Sequence, residues 1–315
     1  MYLFGIDIGG TSIKIGCFDG EGNLLEQWEI PTHPNQLFNE LSSSIQFYMN
    51  KKNITRNEIF GFGIGLPGIV RNGIALSCVN LGWEQTDVQK EFSKALGFDA
   101  NVYIFNDANL AALGEASYLN KEKDSVVFIT LGTGVGGGIL MHGEIVEGTS
   151  GLGGEIGHMP IDNTYQFVCG CGGIGHLETL ASATGIVRLA RFYQDKLPTC
   201  LTFEDTLTAK DVIDAAKQQD PLSNYVLDEA CLALAKAMAS ITVIVNPSGF
   251  IIGGGLSNAG EFLLNKIKTK FQEVCLKQTK TIDIHLAVLK NNAGIYGACA
   301  YLIKKKHEVE KNGKC

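Results

Sequence analysis

Tyr2 to Asp19 reads YLFGIDIGGTSIKIGCFD. An apolar, β-rich run leads to Asp7 and Ile8, then Gly9, Gly10, Thr11 and Ser12 turn the chain, and Ile13 to Phe18 alternates as a second strand. Asp19-Gly20-Glu21-Gly22 signals a hairpin, and Leu24 to Ile30 makes a third strand. The chain therefore opens as an antiparallel meander carrying a glycine turn. Glycines without Cβ let backbone N–H groups approach phosphate oxygens, and Thr11 and Lys14 add a hydroxyl and a charge. This is not a Walker loop: the GxxxxGK[ST] spacing is missing, and a strand follows where a helix would be needed. An ordinary glycine hairpin fits the same letters.

The pattern returns further on. Val126 to Thr130 is a strand, Leu131 to Gly138 reads LGTGVGGG, and Ile139 to Met141 is again extended. This echo of residues 3–18 predicts two related halves facing one nucleotide, with Thr133 and Gly134 in the second turn. GTGVGG also matches GxGxxG, but no helix follows it, which disfavours a dinucleotide site. A third turn, Gly253-Gly254-Gly255, joins the strand Phe250 to Ile252 to a helix. Such a junction suits an adenosine moiety meeting backbone, and equally a plain βα turn.

Between these turns the periodicity predicts helices over 34–52, 86–96, 108–117, 177–193, 207–217, 221–245, 262–275 and 293–304, with further strands at 59–64, 101–105 and 282–287. The strand at 59–64 runs into Gly65-Leu66-Pro67-Gly68, a loop position that commonly meets ligand in α/β proteins. The strand at 101–105 delivers Asn106-Asp107-Ala108-Asn109. On spacing alone Asp107 reads as a helix N-cap; the alternative is a base that takes a hydroxyl proton during phosphoryl transfer. Lys305 to Cys315 reads as a charged, frayed tail.

Gly153 to Glu178, GGEIGHMPIDNTYQFVCGCGGIGHLE, gathers His158, Cys169, Cys171 and His176 with Glu155 and Glu178 near its ends. Four such ligands in one loop suit a tetrahedral Zn²⁺ of structural type. Cys-x-Cys is less diagnostic than Cys-x-x-Cys, so free thiols in a glycine loop also fit.

The 315 residues are 45% hydrophobic and 19% charged, enough for a globular protein of one large domain or, preferred on length, two, with ample core. A net charge of −7 argues against broad binding to nucleic acid or anionic membrane. No signal peptide or membrane-spanning run is legible. Nine cysteines without framework spacing suit a reducing cytoplasm.

GGEIGH followed by CxCGxxGxLE resembles the signature of the ROK family, named for repressors, open reading frames and kinases. FNDANLAALGE is similar to the catalytic motif of its sugar kinases, and NLGW with LETLASATGIVRLA to its glucokinases. The usual family signature has a third cysteine where this chain has His176. The motifs from Phe4 to about Ile303 follow the family's order and separations. The resemblance implies an α/β, two-lobed, actin-like (ribonuclease-H-like) ATPase fold with an interlobe active-site cleft. One lobe would be 1–118 with the returning helix 291–315, the other 119–290. It further implies an ATP:hexose 6-phosphotransferase using Mg²⁺, with Asp107 the base and Gly68, Asn106, Glu155, His158 and Glu178 against the sugar. ATP and Mg²⁺ would meet Asp7, Gly9, Gly10, Thr11, Lys14, Thr133, Gly134, Gly254 and Gly255, and zinc would meet His158, Cys169, Cys171 and His176. Glucose is the preferred sugar; N-acetylmannosamine, fructose, mannose and β-glucosides are alternatives, as is a non-catalytic sugar-responsive regulator. A cytoplasmic homodimer is expected, with neither nucleic acid nor membrane as partner.

Overall fold

The computed structural model describes residues 1–71, 73–121 and 124–312. In order the elements are β1 (Tyr2–Ile8), β2 (Ser12–Asp19), β3 (Leu24–Pro31), α1 (Leu37–Lys52), β4 (Ile59–Leu66), β5 (Ile69–Arg71), β6 (Ile74–Cys78), β7 (Trp83–Thr86), α2 (Val88–Leu96), β8 (Val102–Asn106) and α3 (Asp107–Tyr118). There follow β9 (Val126–Leu131), β10 (Val135–Met141), β11 (Glu144–Ile145), α4 (Glu178–Ala181), α5 (Ala183–Tyr193), α6 (Ala209–Lys217) and α7 (Pro221–Val245). The chain closes with β12 (Gly249–Gly253), α8 (Glu261–Val274), β13 (Asp283–Leu286) and α9 (Ala293–Asn312).

Two five-stranded sheets share one topology, β3-β2-β1-β4-β8 and β11-β10-β9-β12-β13. In each, an antiparallel pair closed by a glycine turn is continued by two parallel strands: β1/β2 by β4 and β8, β9/β10 by β12 and β13. The echo legible in the letters is thus a repeat of topology.

Contacts divide the chain into two compact units. The first comprises Met1–Glu122, Ile145–Gly153 and Asn291–Cys315. The strand period of two gives β1 two working faces. Phe4, Ile6 and Ile8 pack with Leu37, Leu41 and Ile45 of α1 and with Val88, Phe92 and Leu96 of α2. Leu3 faces the other way, with Phe18, Ile295, Cys299 and Leu302. On that face glycines lie under part of α9. A Cβ on Gly5 would strike the Ile295 carbonyl, and one on Gly63 would lie 2.8 Å from Ala298 Cβ. Gly5 pairs with Gly63, and Asp7 with Gly65, in the parallel β1/β4 register. A glycine floor therefore lets α9 lie directly on the strands.

The second unit, Lys123–Glu144 and Gly154–Lys290, has its own core. Val127, Ile129, Phe250 and Ile252 of the sheet pack with Leu189, Val212, Val226, Met238, Ile267 and Phe271 of the surrounding helices. Asp220 caps α7, Pro221 opens it, and Asn246, at φ 48°, ends it in the left-handed region.

Three expectations change. Residues 177–193 form two helices, because Ser182 is extended and its hydroxyl accepts from Gly185 N at 3.0 Å, capping α5. Residues 69–86 contain a small antiparallel sheet, β5-β6-β7, that the periodicity did not announce. The last helix runs on to Asn312, held by Lys306 Nζ donating to the Gly20 carbonyl (2.8 Å) and Lys305 bonding Glu308 (2.8 Å); the rest of the expected tail, 313–315, lies outside the described residues. Among the described residues no helix is long and apolar enough to cross a membrane.

Candidate active site and metal centre

In the first unit β8 ends at Asn106 and α3 begins at Asp107. Asn106, not Asp107, is the cap: its Oδ1 accepts from Ala108 N (2.9 Å) and Asn109 N (3.2 Å). Its amide Nδ2 donates to the Gly68 carbonyl at 3.1 Å. Gly68 sits where a Cβ would fall 2.6 Å from Cys78 Sγ, so no other residue lets the loop come this close. Burial and the nearby negative Asp107 push the Cys78 thiol up to about 11. Gly68, Asn106, Asp107 and Cys78 thus form one neighbourhood at the strand ends, and Cys78 is the member to which no sequence motif points. Asp107 Oδ1 accepts from Ala108 N (2.8 Å).

The first glycine turn is tied from both sides. Gly9 N donates to the Ser12 carbonyl (2.9 Å), Thr32 N to the Thr11 carbonyl (3.0 Å) and Thr32 Oγ1 to the Gly9 carbonyl (2.8 Å). Gly10 and Thr11 remain exposed. Asp7 stands opposite Lys14 in the β1/β2 ladder. Burial pushes its carboxyl up to about 6, with Lys14 pulling the other way. Two glycines line that carboxyl: a Cβ on Gly65 would lie 3.5 Å from Oδ1, and one on Gly294 only 2.7 Å from Cγ.

In the second unit the matching turn is held by the start of α5. Ala183 N donates to the Gly132 carbonyl (2.8 Å) and Thr184 Oγ1 to the Thr133 carbonyl (2.8 Å). This is what the broken helix accomplishes: Ser182 stops α4, and the freed next residues grip the glycine turn. The third turn abuts the second, since Gly254, at φ +81°, leaves room for the Leu131 backbone; a Cβ there would approach Leu131 N to 2.5 Å. Gly255 is open, with nothing within 4 Å of its Cβ position.

His158, Cys169, Cys171 and His176 come together, each offering a ligand atom within 4.8 Å of the others. Cys169 Sγ is 3.3 Å from Cys171 Sγ and 3.5 Å from His158 Nδ1, and Cys171 Sγ is 3.2 Å from His176 Nδ1. Zinc bonds of about 2.3 Å to sulfur and about 2.0–2.1 Å to nitrogen, at tetrahedral angles, put donors about 3.3–3.8 Å apart. The donor set therefore fits zinc, with His176 in the fourth place. Its ring needs Gly173, where a Cβ would fall 2.5 Å from Nε2.

The two acids flank this cluster. Glu155 Oε2 lies 3.8 Å from His158 Nε2. Glu178 begins α4, and its Oε1 accepts from Cys169 Sγ at 2.8 Å. Burial first, then that bond, push the Cys169 thiol up to about 12. On the other side of Glu178 lies the glycine turn: a Cβ on Gly134 would sit 2.7 Å from Glu178 Oε2. Glu178 thus touches both the metal loop and the second turn.

The ROK family pattern matches residues 3–306. The chain belongs to the ROK family. It is 34% identical to the glucokinase of Halalkalibacterium halodurans over 99% of this chain and 98% of that one. Against the glucokinase of Thermotoga maritima it is 32% identical over 96% and 98%. Among solved structures it is similar to a ROK family glucokinase from Streptomyces griseus in complex with glucose and AMPPNP. That match has a TM-score of 0.75 and 28% identity, covering 96% of this chain and 99% of that one. The doubled sheet topology is accordingly that of the two-lobed actin-like ATPase fold.

Proposed function

We propose that this chain is an ATP-dependent hexose kinase that phosphorylates the 6-hydroxyl of glucose. The observation that carries the reading is the junction of β8 and α3. Asn106 satisfies the helix N-terminus and binds the Gly68 loop, so Asp107 is not needed as the cap. Full-length similarity to glucokinases supports the reaction and the sugar.

In this reading Gly68, Asn106, Glu155, His158 and Glu178 hold the sugar hydroxyls. The phosphates of ATP lie against Gly9, Gly10, Thr11 and Lys14 and against Thr133 and Gly134, with adenosine at Gly254 and Gly255. Asp107 accepts the proton of the 6-hydroxyl as its oxygen bonds to the γ-phosphorus and the bond to the β-phosphate oxygen breaks, leaving ADP. Bound Mg²⁺ would supply neutralisation of phosphate charge, and the carboxylate of Asp7 is the group to hold it, through water. A bound zinc ion at His158, Cys169, Cys171 and His176 would tie the two ends of the loop together.

The test is a panel of glucose, N-acetylmannosamine, fructose, mannose and a β-glucoside with ATP, following ADP release, on the wild type and Asp107→Ala. Glucose-dependent ADP release that Asp107→Ala abolishes is expected. Sugar binding without ADP release from any sugar means a non-catalytic regulator. The homodimer that the resemblance implies is read by light scattering on the same sample.

A further inference from the structure

The carboxyl of Asp7 is not positioned by its own strand alone. Asp7 belongs to the face of β1 that meets α9, the face paved by Gly5, Gly63 and Gly65. That paving brings the first turn of α9 down onto the strand end. Gly294, the second residue of α9, is where helix and acid meet: a Cβ there would lie 2.7 Å from Asp7 Cγ, 2.8 Å from Oδ2 and 3.0 Å from its own Cβ. Contacts under about 3 Å are not tolerated by packed carbon, and here three atoms of one short side chain are met at once. Asp7 has only χ1 and χ2 to adjust, and the contact to Cγ is relieved by χ1 alone, so a methyl at 294 displaces the whole carboxylate. The helix itself is seated by a second close approach, since a Cβ on Gly297 would strike the Leu110 carbonyl of α3 and one on Gly114 the Ala293 carbonyl.

We propose that Gly294 is a positioning residue for the nucleotide site: the absence of its side chain sets where the Asp7 carboxylate stands, and α9 thereby serves the metal–phosphate end of the reaction. The proposal rests on the reading of Asp7 given above. Propensity alone opposes glycine here, because a glycine in a helix costs about 1 kcal/mol relative to alanine; the side-chain space of Asp7 is the compensating requirement.

Four proteins decide it: wild type, Gly294→Ala, Asp7→Ala and the double variant. Calorimetry measures MgATP, metal-free ADP and glucose binding, and melting confirms that each is folded. Gly294→Ala is expected to weaken MgATP at least about tenfold, with metal-free ADP and glucose bound as in wild type. In the Asp7→Ala background the contacts to Cγ and Oδ2 are gone, only the 3.0 Å approach to Cβ remains and no carboxylate is left to displace, so the same change is expected to alter MgATP binding less than about twofold. A Gly294→Ala protein that binds MgATP as wild type does, or an equal loss in both backgrounds, overturns the proposal and leaves the role of Asp7 standing. Asp7→Ala binding MgATP as wild type instead removes the role of Asp7, and the proposal with it.

Discussion

Asn106 and Asp107 divide two jobs at one helix start: Asn106 Oδ1 takes the backbone donors of Ala108 and Asn109, and Asp107 stands as the first helical residue. Replacing each therefore has a different signature. Asn106→Ala loses the cap and the Gly68 bond and is expected to cost about 1 kcal/mol of stability. Asp107→Ala keeps the Asn106 cap, so its melting temperature stays near that of wild type while kcat falls about 10²–10⁴-fold, the scale of a lost general base. Melting curves and steady-state ADP release on the two variants check this. Wild-type turnover by Asp107→Ala would remove the base assignment.

The metal cluster makes a separate prediction. With two cysteine sulfurs and two imidazoles whose ligand atoms all lie within 4.8 Å of one another, the purified protein is expected to hold about one zinc per chain. His176→Ala leaves three protein donors and is expected to lose zinc to a chelator that does not strip wild type, while His176→Cys retains it. Metal analysis after dialysis reads both. Equal retention by His176→Ala would show that His176 is not a ligand.

The letters revealed some of this and hid the rest for definable reasons. The three glycine turns, the 158–176 ligands and the strand before Asp107 are local patterns, and the chain folds locally as they read. Ser182 reads as a tolerable helix residue inside an apolar periodic run; in the fold it is extended and caps α5, and the next two residues bind the second turn. The strands β5, β6 and β7 are interrupted by turns at Gly73 and Gly82 and show no regular buried/exposed alternation. Gly294 and Cys78 gave no signal, since the reason for each lies in a partner distant in sequence, Asp7 for the one and Gly68 with Asp107 for the other.

Acid stability should expose Asp220. Its carboxylate caps α7 and accepts from Ser223 N (2.8 Å), Cys200 N (2.7 Å) and Thr199 Oγ1 (3.1 Å). Burial would raise its pKa, but those bonds outweigh burial and hold the carboxyl below the usual aspartate range. A depressed pKa contributes stability above the unfolded value of about 3.9, and that contribution is lost as pH falls through the folded value. Asp220→Asn is therefore expected to be about 1–2 kcal/mol less stable than wild type near pH 7, with the gap closing below about pH 4. Urea unfolding of both proteins over that range measures it, and a gap that widens on acidification contradicts the assignment.

Gly134 offers the sharpest test of the link between the second turn and the sugar acids. Its Cβ position lies 2.7 Å from Glu178 Oε2, the free end of a flexible side chain, so a methyl there moves the carboxylate and leaves the backbone in place. The other Glu178 oxygen accepts from the Cys169 thiol at 2.8 Å in the metal-free protein, a bond that a zinc-bound thiolate does not make. Gly134→Ala is thus expected to raise the KM for glucose by about tenfold, roughly 1.4 kcal/mol of lost sugar binding, with melting temperature and zinc content close to wild type. If the KM for ATP rises and that for glucose does not, the methyl is blocking phosphate at the turn, and Glu178 is not the group through which residue 134 reaches the sugar.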